Sequence, residues 1–378
     1  MPTSATTTTS EHSPIGLTRV QARRIAVRAQ LLDAARPASV VDVVRGLNVI
    51  QRYPYADIAP SADLVLWSRI GARYEPDDLQ RALEVDRSLL ELDGMIRPME
   101  DLALFLAQFA LPPKYAKTRE WLELNHEFRD DLLRELYDRG PVLARELPDT
   151  ARYPWPSSGW TNNRNVTQML ECLMMRGEVA IASQEGGART WDLAERVYPE
   201  GLPVIPVDQA LAMRDDRRLR SLGVAPAKGP KQPLEPIDVG PAGLPATIEG
   251  SDVAWRVHPD VLPWIDDDFE GRTALLSPFD RLVYDRIRTQ GIFEFDFTLE
   301  MFKPKAKRRW GYFALPILHR DRLVGKLDAS ADRKAAALRV NAIHEDVPFT
   351  TEMRNDVDAE ITALARWLGM RVDRVGSH

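Results

Sequence analysis

The sequence contains a single cysteine, Cys172, among 378 residues. One cysteine can form neither an internal disulfide nor a cysteine-based zinc site. The six histidines are scattered and show no HExxH-type spacing. We therefore expect neither a metal site nor a cofactor. Cys172 lies in an apolar helical pattern, which is typical of a small residue in the hydrophobic core.

Long hydrophobic runs are also lacking. The longest, Leu102 to Leu111, is interrupted by Gln108 and is too short to cross a bilayer. Residues 1–13 are rich in Thr and Ser and lack the apolar stretch of a signal peptide, so they are expected to form a disordered tail. These absences predict a soluble protein of the cytoplasm.

Charge is unevenly distributed along the chain. Acidic residues outnumber basic ones by 56 to 50, giving a net charge of −6. The segment from Lys303 to Arg339 nevertheless holds 11 Lys or Arg against 3 Asp, a local charge of +8. A basic surface on an acidic protein favours polyanion binding, because neutralised phosphates release counterions. A solvated basic hairpin is the alternative interpretation.

The N-terminal part of the chain carries helix-start and hairpin signals. A capping-box spacing at Thr18 and Gln21 predicts a first helix over residues 18–35. Similar signals predict further elements: helices from Ser39, Ser61 and Pro76, a strand over 48–53, and a hairpin over 89–96 around Asp93-Gly94.

A similar order of elements follows in the next hundred residues. It predicts helices over 121–137, 143–147 and 165–176, then a hairpin over 179–191 around Gly186-Gly187. Short helix, turn, longer helix and hairpin together are typical of a winged helix-turn-helix.

The C-terminal part begins with a Pro- and Gly-rich stretch, residues 222–248, which predicts an exposed linker or long loop. An amphipathic pattern from Thr351 predicts a closing helix. Between them the pattern predicts strands over 293–301, 311–319, 322–327 and 336–341.

These patterns predict a predominantly helical α+β chain of tandem winged helix-turn-helix units, with a β-rich C-terminal unit and a closing helix. The predicted divisions are a disordered tail (1–16), a first winged-helix unit (17–115), a second (116–200), a connecting segment with the linker (201–270), a third winged-helix or β-rich unit (271–348) and a C-terminal helix (349–378).

Four segments carry a resemblance to a known family. In chain order they read LVLWSR (64–69), WDLAERVYP (191–199), LSPFDR (276–281) and KRRWGY (307–312). Across about residues 17–342 the chain resembles the YcaQ/AlkZ family of winged-helix DNA glycosylases, as a divergent side branch. The resemblance implies tandem winged helices that line a basic concave surface around double-stranded DNA. It also implies excision of N7-alkylated purines, including bulky adducts and crosslinks. We expect a monomer that does not bind membranes.

The catalytic motif of that family is Gln, an apolar residue, then Gln or Asp, about thirteen residues before LVLW. Here the corresponding residues are Gln51, Arg52 and Tyr53, a departure at two of three positions. A second family motif, aromatic-Trp-Ala-His, is replaced by LDGM at 92–95. Asp93 within it is expected to be a turn residue, with a substitute catalytic carboxylate as the alternative.

The chemistry of N7-alkylpurines explains why the motif matters. Such a base is already cationic, so its glycosidic bond breaks without a general acid. The enzyme mainly stabilises an oxocarbenium-like sugar and orients a water. Gln51 can orient a water, whereas the neutral phenol of Tyr53 is a poor base and is expected to line the lesion pocket. Arg52 opposes catalysis if it points inward and can hold a phosphate if it points outward.

Basic side chains are the expected DNA contacts. They are Arg52, Arg69, Lys305, Lys307, Arg308 and Arg309. For Arg69 a buried salt bridge is the alternative. For the basic residues at 305–309 the alternative is that they are solvated and keep an edge strand from pairing with another chain. Trp67 and Trp310 are expected to pack in the core, with base stacking as the alternative.

The sequence therefore predicts a DNA-binding protein, implied by the resemblance to be a glycosylase with a degenerate catalytic motif. A non-catalytic winged-helix DNA binder, acting as a regulator or damage sensor, is the alternative. A protein-interaction scaffold is a more remote one.

Overall fold

The computed structural model describes residues 13–53, 57–156, 164–232 and 235–374. Helices and strands are mixed throughout these ranges, as the predicted α+β class requires. None of the helices in this described part is long and apolar enough to cross a membrane.

The described residues divide into two compact units. Unit one comprises the described parts of 13–36, 57–59 and 215–374, and unit two those of 37–53 and 60–214. The six-part division expected from the sequence stays a prediction.

The α-helices, in chain order, are α1 (Arg19–Ala29), α2 (Val40–Leu47), α3 (Ser61–Ile70), α4 (Pro76–Glu84), α5 (Ala103–Phe109), α6 (Ala116–Leu124), α7 (His126–Arg139), α8 (Asn165–Met174), α9 (Ala194–Val197), α10 (Val207–Leu222), α11 (Arg281–Tyr284), α12 (Arg286–Phe293) and α13 (Thr351–Trp367). Short 3₁₀-helices occupy Met99–Leu102, Ala144–Glu146, Pro259–Ile265 and Lys305–Lys307.

The β-strands are β1 (Ile15–Leu17), β2 (Ile50–Gln51), β3 (Leu89–Leu92), β4 (Met95–Pro98), β5 (Val142–Leu143), β6 (Val179–Glu185), β7 (Ala188–Leu193), β8 (Val224–Pro226), β9 (Leu244–Ile248), β10 (Trp255–Val257), β11 (Thr273–Leu275), β12 (Leu315–His319), β13 (Arg322–Asp332), β14 (Ala337–Glu345) and β15 (Arg371–Arg374).

Unit two contains two small antiparallel sheets, with strand orders β2-β4-β3 and β5-β7-β6. Both predicted hairpins are confirmed. Their turns place Asp93 and Gly94 at φ 52° and 70°, and Gly186 and Gly187 at 56° and 81°. Positive φ at both central residues gives two-residue turns the twist that flanking strands require. The helices of unit two pack on these sheets around a core that includes Trp121, Phe128, Leu132 and Trp191.

Unit one contains a sheet of order β1-β9-β10-β8 and a sheet of order β11-β12-β13-β14-β15. The β1/β9 and β14/β15 pairs are parallel and the other pairs are antiparallel. Helix α13 buries Val357, Ile361 and Leu364 and ends before Gly369, which has a φ of 68°. The predicted closing helix is therefore confirmed.

The predicted exposed linker or long loop over 222–248 is wrong at its two ends, whereas the described residues between 227 and 243 form neither helix nor strand, as a long loop requires. This segment supplies β8 and β9, and Val224, Ala225 and Val239 are fully buried. Glu235 is also buried, and its Oε1 accepts a hydrogen bond of 2.9 Å from Nε of the buried Arg218. Between these two strands the chain runs as a loop that buries Ile237 and Val239, and composition alone does not distinguish such a loop from a solvated one.

Replacing Glu235 with glutamine is expected to lower the free energy of unfolding by about 1–3 kcal/mol, because the buried Arg218 then keeps only the partly exposed Asp215 as a charge partner. Chemical denaturation measures the change. Glu249→Gln, at an exposed position of the same unit, is the matched control and should change it by less than about 0.5 kcal/mol. Equal stability of the two variants would show that this pair does not hold the segment.

The predicted strand over 293–301 is also wrong. Helix α12 extends to Phe293, and Glu294 adopts a left-handed φ of 54° that ends the helix. Phe295 and Phe297 then pack into the core without strand pairing among the described residues. Their alternation with polar residues reflects burial of every second side chain, which does not require a ladder of backbone hydrogen bonds.

Three predicted helices differ from the observed elements. The single helix expected over 121–137 is two helices, α6 and α7, which meet at Asn125. Its buried amide donates to the Trp121 carbonyl at 2.9 Å and accepts from the Tyr153 N–H at 3.0 Å. The helix expected over 143–147 is strand β5 followed by a 3₁₀ turn. Helix α1 is shorter than expected, since Leu31 has a φ of 58°.

Candidate active site

The side chain of Ser61, the first residue of α3, fixes the backbone of the motif at 51–53. Its hydroxyl accepts a hydrogen bond of 2.9 Å from the Tyr53 N–H and donates one of 2.9 Å to the Gln51 carbonyl. Gln51 ends strand β2 opposite Met95. The motif is therefore held by a fully buried serine, which the sequence interpretation treated only as a helix start.

Arg52 points towards a buried carboxylate of unit two. Its guanidinium donates to Glu91 at 3.0 Å, and the guanidinium of Arg189 on β7 binds the other oxygen of the same carboxylate. The Glu91 side chain is 1% exposed. Burial of an ion pair is tolerated when its hydrogen bonds are satisfied, as they are here. Arg52 thus shares the Glu91 carboxylate with Arg189, an arrangement that neither sequence alternative anticipated.

A pocket of about 620 Å³ opens beside this cluster, within the usual range for ligand sites. Helices α3 and α4 provide one wall and the β6–β7 hairpin provides the other. Tyr53, Arg52 and Arg189 line it, whereas Gln51 is not among the described residues that do. Tyr53 therefore lies at a pocket wall, and its expected contact with a lesion stays a prediction.

Asp63 also lines the pocket, and the sequence interpretation missed it. It lies in the first turn of α3, a helix whose residues are all buried. The Tyr74 hydroxyl donates to its Oδ1 at 2.5 Å. An Asp in the first turn of a helix usually complements the helix dipole. The sequence therefore carries no signal that sets Asp63 apart from an ordinary residue of a helix start.

Burial raises the pKa of the Asp63 carboxyl above its ordinary value, and the Tyr74 hydrogen bond and the Arg52 charge offset this only in part. Burial and the neighbouring carboxylate also raise the pKa of Tyr74, which remains a donor. A perturbed carboxyl in a cleft is a candidate for a chemical role. Glu84 lines the same pocket. With the buried Glu91, which binds Arg52 and Arg189 from behind the pocket lining, three carboxylates lie near two arginines, a net charge of −1 when Asp63 is ionised.

Four further residues that the sequence singled out lie in the core or in a turn. Arg69 is 0% exposed, and its guanidinium donates to the Ser68 hydroxyl. A guanidinium so enclosed does not reach a phosphate, so the DNA-contact prediction for Arg69 is wrong. Trp67 and Trp310 are 3% and 7% exposed, which confirms the core interpretation of both. Asp93 occupies a hairpin turn with positive φ, as expected.

The predicted DNA-contacting residues at 305–309 lie in unit one, before strand β12. Lys305, Lys307 and Arg309 are exposed, and Arg308 is half-buried over the Tyr312 ring at 4.8 Å. Arg309 pairs with Asp296 at 3.2 Å, with both side chains about two-thirds exposed. Such an exposed pair contributes little to stability, so this cation remains available to a phosphate.

Comparison with known proteins identifies the family of this chain. A family model described as "DNA glycosylase AlkZ-like" matches residues 44–367. The chain belongs to the AlkZ-like DNA glycosylase family. The match covers most of the chain and includes both the motif at 51–53 and the basic segment.

The fold of this AlkZ-like protein is also found in a solved structure. The DNA glycosylase AlkZ of Streptomyces sahachiroi superposes with a TM-score of 0.63 at 16% sequence identity, covering 96% of this chain and 100% of that chain. This likeness shows a shared fold. Family membership supports a DNA-repair glycosylase with DNA as its partner, and it does not favour the non-catalytic alternative.

Proposed function

We propose that this protein excises N7-alkylated purines from duplex DNA, and that the pocket of unit two receives the reacting nucleotide. One observation carries the proposal. A buried carboxylate of raised pKa, Asp63, lines the same pocket as Tyr53 from the family's catalytic motif. Asp63 is proposed to replace the acidic or amide group that the motif lacks at position 53.

The proposed reaction breaks the bond between N9 of the base and C1′ of the sugar. The bonding electron pair goes to N9, so the cationic purine leaves as a neutral base. The sugar becomes oxocarbenium-like, and the Asp63 carboxylate stabilises that positive charge. A water then forms a bond to C1′ and gives a proton to the carboxylate. A raised pKa suits a group that must accept this proton.

The roles of the motif residues follow from their positions. Tyr53 provides an aromatic wall against which a base can stack. Gln51 is not among the described residues that line the pocket, so its expected role in orienting the water stays a prediction from the sequence. The Glu91 carboxylate forms ion pairs with Arg52 and Arg189 and offsets part of their positive charge. This reduces the repulsion between these arginines and a cationic lesion.

DNA binding is proposed to use winged-helix elements and the exposed cations. In unit two, two helices precede a β-hairpin in α3–α4–β3–β4, and one helix precedes a β-hairpin in α8–β6–β7. This order supports the tandem winged-helix interpretation. Lys305, Lys307, Arg308 and Arg309 are proposed to contact phosphates. The protein is proposed to act on methylated and bulkier N7 adducts without a metal or cofactor.

Release of free N7-methylguanine from methylated duplex DNA, measured by mass spectrometry at neutral pH, tests the proposal. The wild-type protein should release the base well above the spontaneous background. Gln51→Ala should lower the rate roughly 10- to 100-fold if the amide orients the water. The control Gln290→Ala, at an exposed position in unit one, should match wild type. DNA binding without any release would instead support a non-catalytic damage sensor.

A further inference from the structure

Phe302 has the highest exposed fraction of any large hydrophobic side chain in the described residues. Its side chain is 75% exposed, whereas Phe295 and Phe297, a few residues earlier, are buried in the core. Isolated exposed apolar residues are common and by themselves indicate nothing. The surroundings of Phe302 are what make it informative.

Phe302 lies at the start of a strongly basic loop. The loop, residues 302–309, contains five Lys or Arg and no acidic residue. Among the residues that the structure describes, no carboxylate pairs with Lys305 or Lys307, and both side chains are exposed. An exposed ring next to unpaired cations complements a ligand that is both anionic and aromatic, which is the chemistry of a nucleic acid.

The loop is held in one conformation by the buried side chain of Glu300. One carboxylate oxygen accepts hydrogen bonds from the backbone N–H groups of Arg309 and Trp310, at 2.6 and 2.9 Å. The other oxygen accepts from the Lys303 ammonium at 2.8 Å. Glu300 therefore ties the beginning of the loop to its end.

Further contacts anchor the residues on both sides of Phe302. Met301 is buried, and Trp310 stacks on Phe297 with ring centroids 6.4 Å apart. The Arg308 guanidinium donates to the Lys303 carbonyl at 2.9 Å. A ring presented from such a fixed loop loses little conformational entropy on binding, which favours its use as a contact.

The geometry points to Phe302 as a base-stacking residue that inserts against an exposed nucleobase of the bound DNA while the flanking cations contact phosphates. Aromatic side chains stack on bases without sequence preference, and apolar side chains of architectural proteins wedge between base steps. This inference rests on the proposed DNA glycosylase function and adds a contact that the catalytic pocket does not include.

Binding to a duplex that contains 2-aminopurine opposite a tetrahydrofuran abasic site tests this contact. Wild-type protein should raise 2-aminopurine fluorescence, because insertion separates the base from its neighbours. Phe302→Ala should abolish that rise and weaken binding about 10-fold or more. The salt dependence of DNA binding by Phe302→Ala should equal that of wild type, because no cation is removed. Phe302→Tyr should show the fluorescence rise and the affinity of wild type.

Tyr137→Ala is the matched control, since Tyr137 is 65% exposed but lies on α7, outside the basic loop. This variant should bind the duplex as tightly as wild type and give the same rise in 2-aminopurine fluorescence. If Phe302→Ala binds as tightly as wild type and gives the same fluorescence rise, the stacking inference is overturned while the proposed function stands. If the wild-type protein itself shows no salt-dependent DNA binding, the proposed function fails together with this inference. Thermal unfolding of each variant verifies that the fold is intact.

Discussion

Replacing Asp63 with asparagine is expected to lower the rate of base release roughly 100-fold or more, the usual effect of removing a charge-stabilising or proton-accepting group. Asparagine keeps the shape of the side chain and an oxygen that can accept the Tyr74 hydrogen bond. DNA affinity should remain within about 2-fold of wild type, since Asp63 makes no proposed ground-state contact to phosphate. Single-turnover release of N7-methylguanine measures the rate. Asp86→Asn, at an exposed position of unit two, is the control.

The same carboxylate predicts an acid limb in the pH profile. Burial raises the pKa of Asp63, and the proposed step requires the ionised form. Base release should therefore fall as the pH drops through the folded-state pKa, at a pH above the ordinary Asp value. Asp63→Asn should remove this limb from its residual activity. A wild-type profile without the limb would contradict the assignment of Asp63 as proton acceptor.

Stability provides an independent readout for the same variant. Because the folded-state pKa of Asp63 is raised, the protonated carboxyl favours the folded state. This stabilisation is fully present below the unfolded-state pKa and is lost as the pH rises through the folded-state pKa. At neutral pH the ionised carboxylate therefore opposes folding. Asp63→Asn should unfold at the same temperature as wild type or at a higher one. A purely structural role would instead make the variant less stable.

Removing three cations from the basic loop is expected to change the salt dependence of DNA binding. The triple variant Lys305→Ala, Lys307→Ala and Arg309→Ala should reduce the slope of log affinity against log salt concentration by about 3, since each phosphate contact contributes about 0.9. Affinity at low salt should fall accordingly. Fluorescence anisotropy at several salt concentrations measures both.

A charge-matched control separates local contacts from net charge. The variant Lys228→Ala, Lys231→Ala and Arg371→Ala removes three cations of the same unit outside the basic loop. It should keep a slope close to that of wild type. Equal slopes for the two triple variants would show that the basic loop does not contact phosphates, and that long-range charge alone attracts the DNA.

Local signals in the sequence predicted those elements whose cause is local. The Asp93-Gly94 and Gly186-Gly187 turns require positive φ, which these residues supply. Helix α4 begins at Pro76, and its fixed φ suits a first helical position. The capping box at Thr18 and Gln21 also forms as predicted. In each case one or two residues determine the geometry through their own backbone preferences.

The predictions were wrong where contacts between residues far apart along the chain determine the structure. The break between α6 and α7 depends on Asn125, whose side chain bonds to the backbone at Tyr153, 28 residues later. In the segment 222–248, the buried Glu235 pairs with Arg218, which lies outside the segment on α10. Neither contact leaves a local pattern, so periodicity and composition could not reveal them.

The candidate site was predicted in part. Counting from LVLW located the motif, and the structure places Tyr53 at a pocket. Asp63 could not be assigned from the sequence, because an acidic residue near a helix start is ordinary. Its burial beside Tyr74 and the motif emerges only when α3, α4 and the β6–β7 hairpin are packed. The expected placement of Gln51 at the base of a DNA-binding cleft stays a prediction.

Binding to a transition-state mimic tests the central claim most directly. A duplex that carries a pyrrolidine nucleotide, whose ring nitrogen is positively charged, imitates the oxocarbenium-like sugar, and a tetrahydrofuran duplex is its neutral counterpart. Wild-type protein should bind the pyrrolidine duplex at least about 10-fold more tightly, since enzymes favour transition-state mimics. Asp63→Asn should lose that preference. If the variant retains the full preference, Asp63 does not stabilise the reacting sugar and the account of this pocket is wrong.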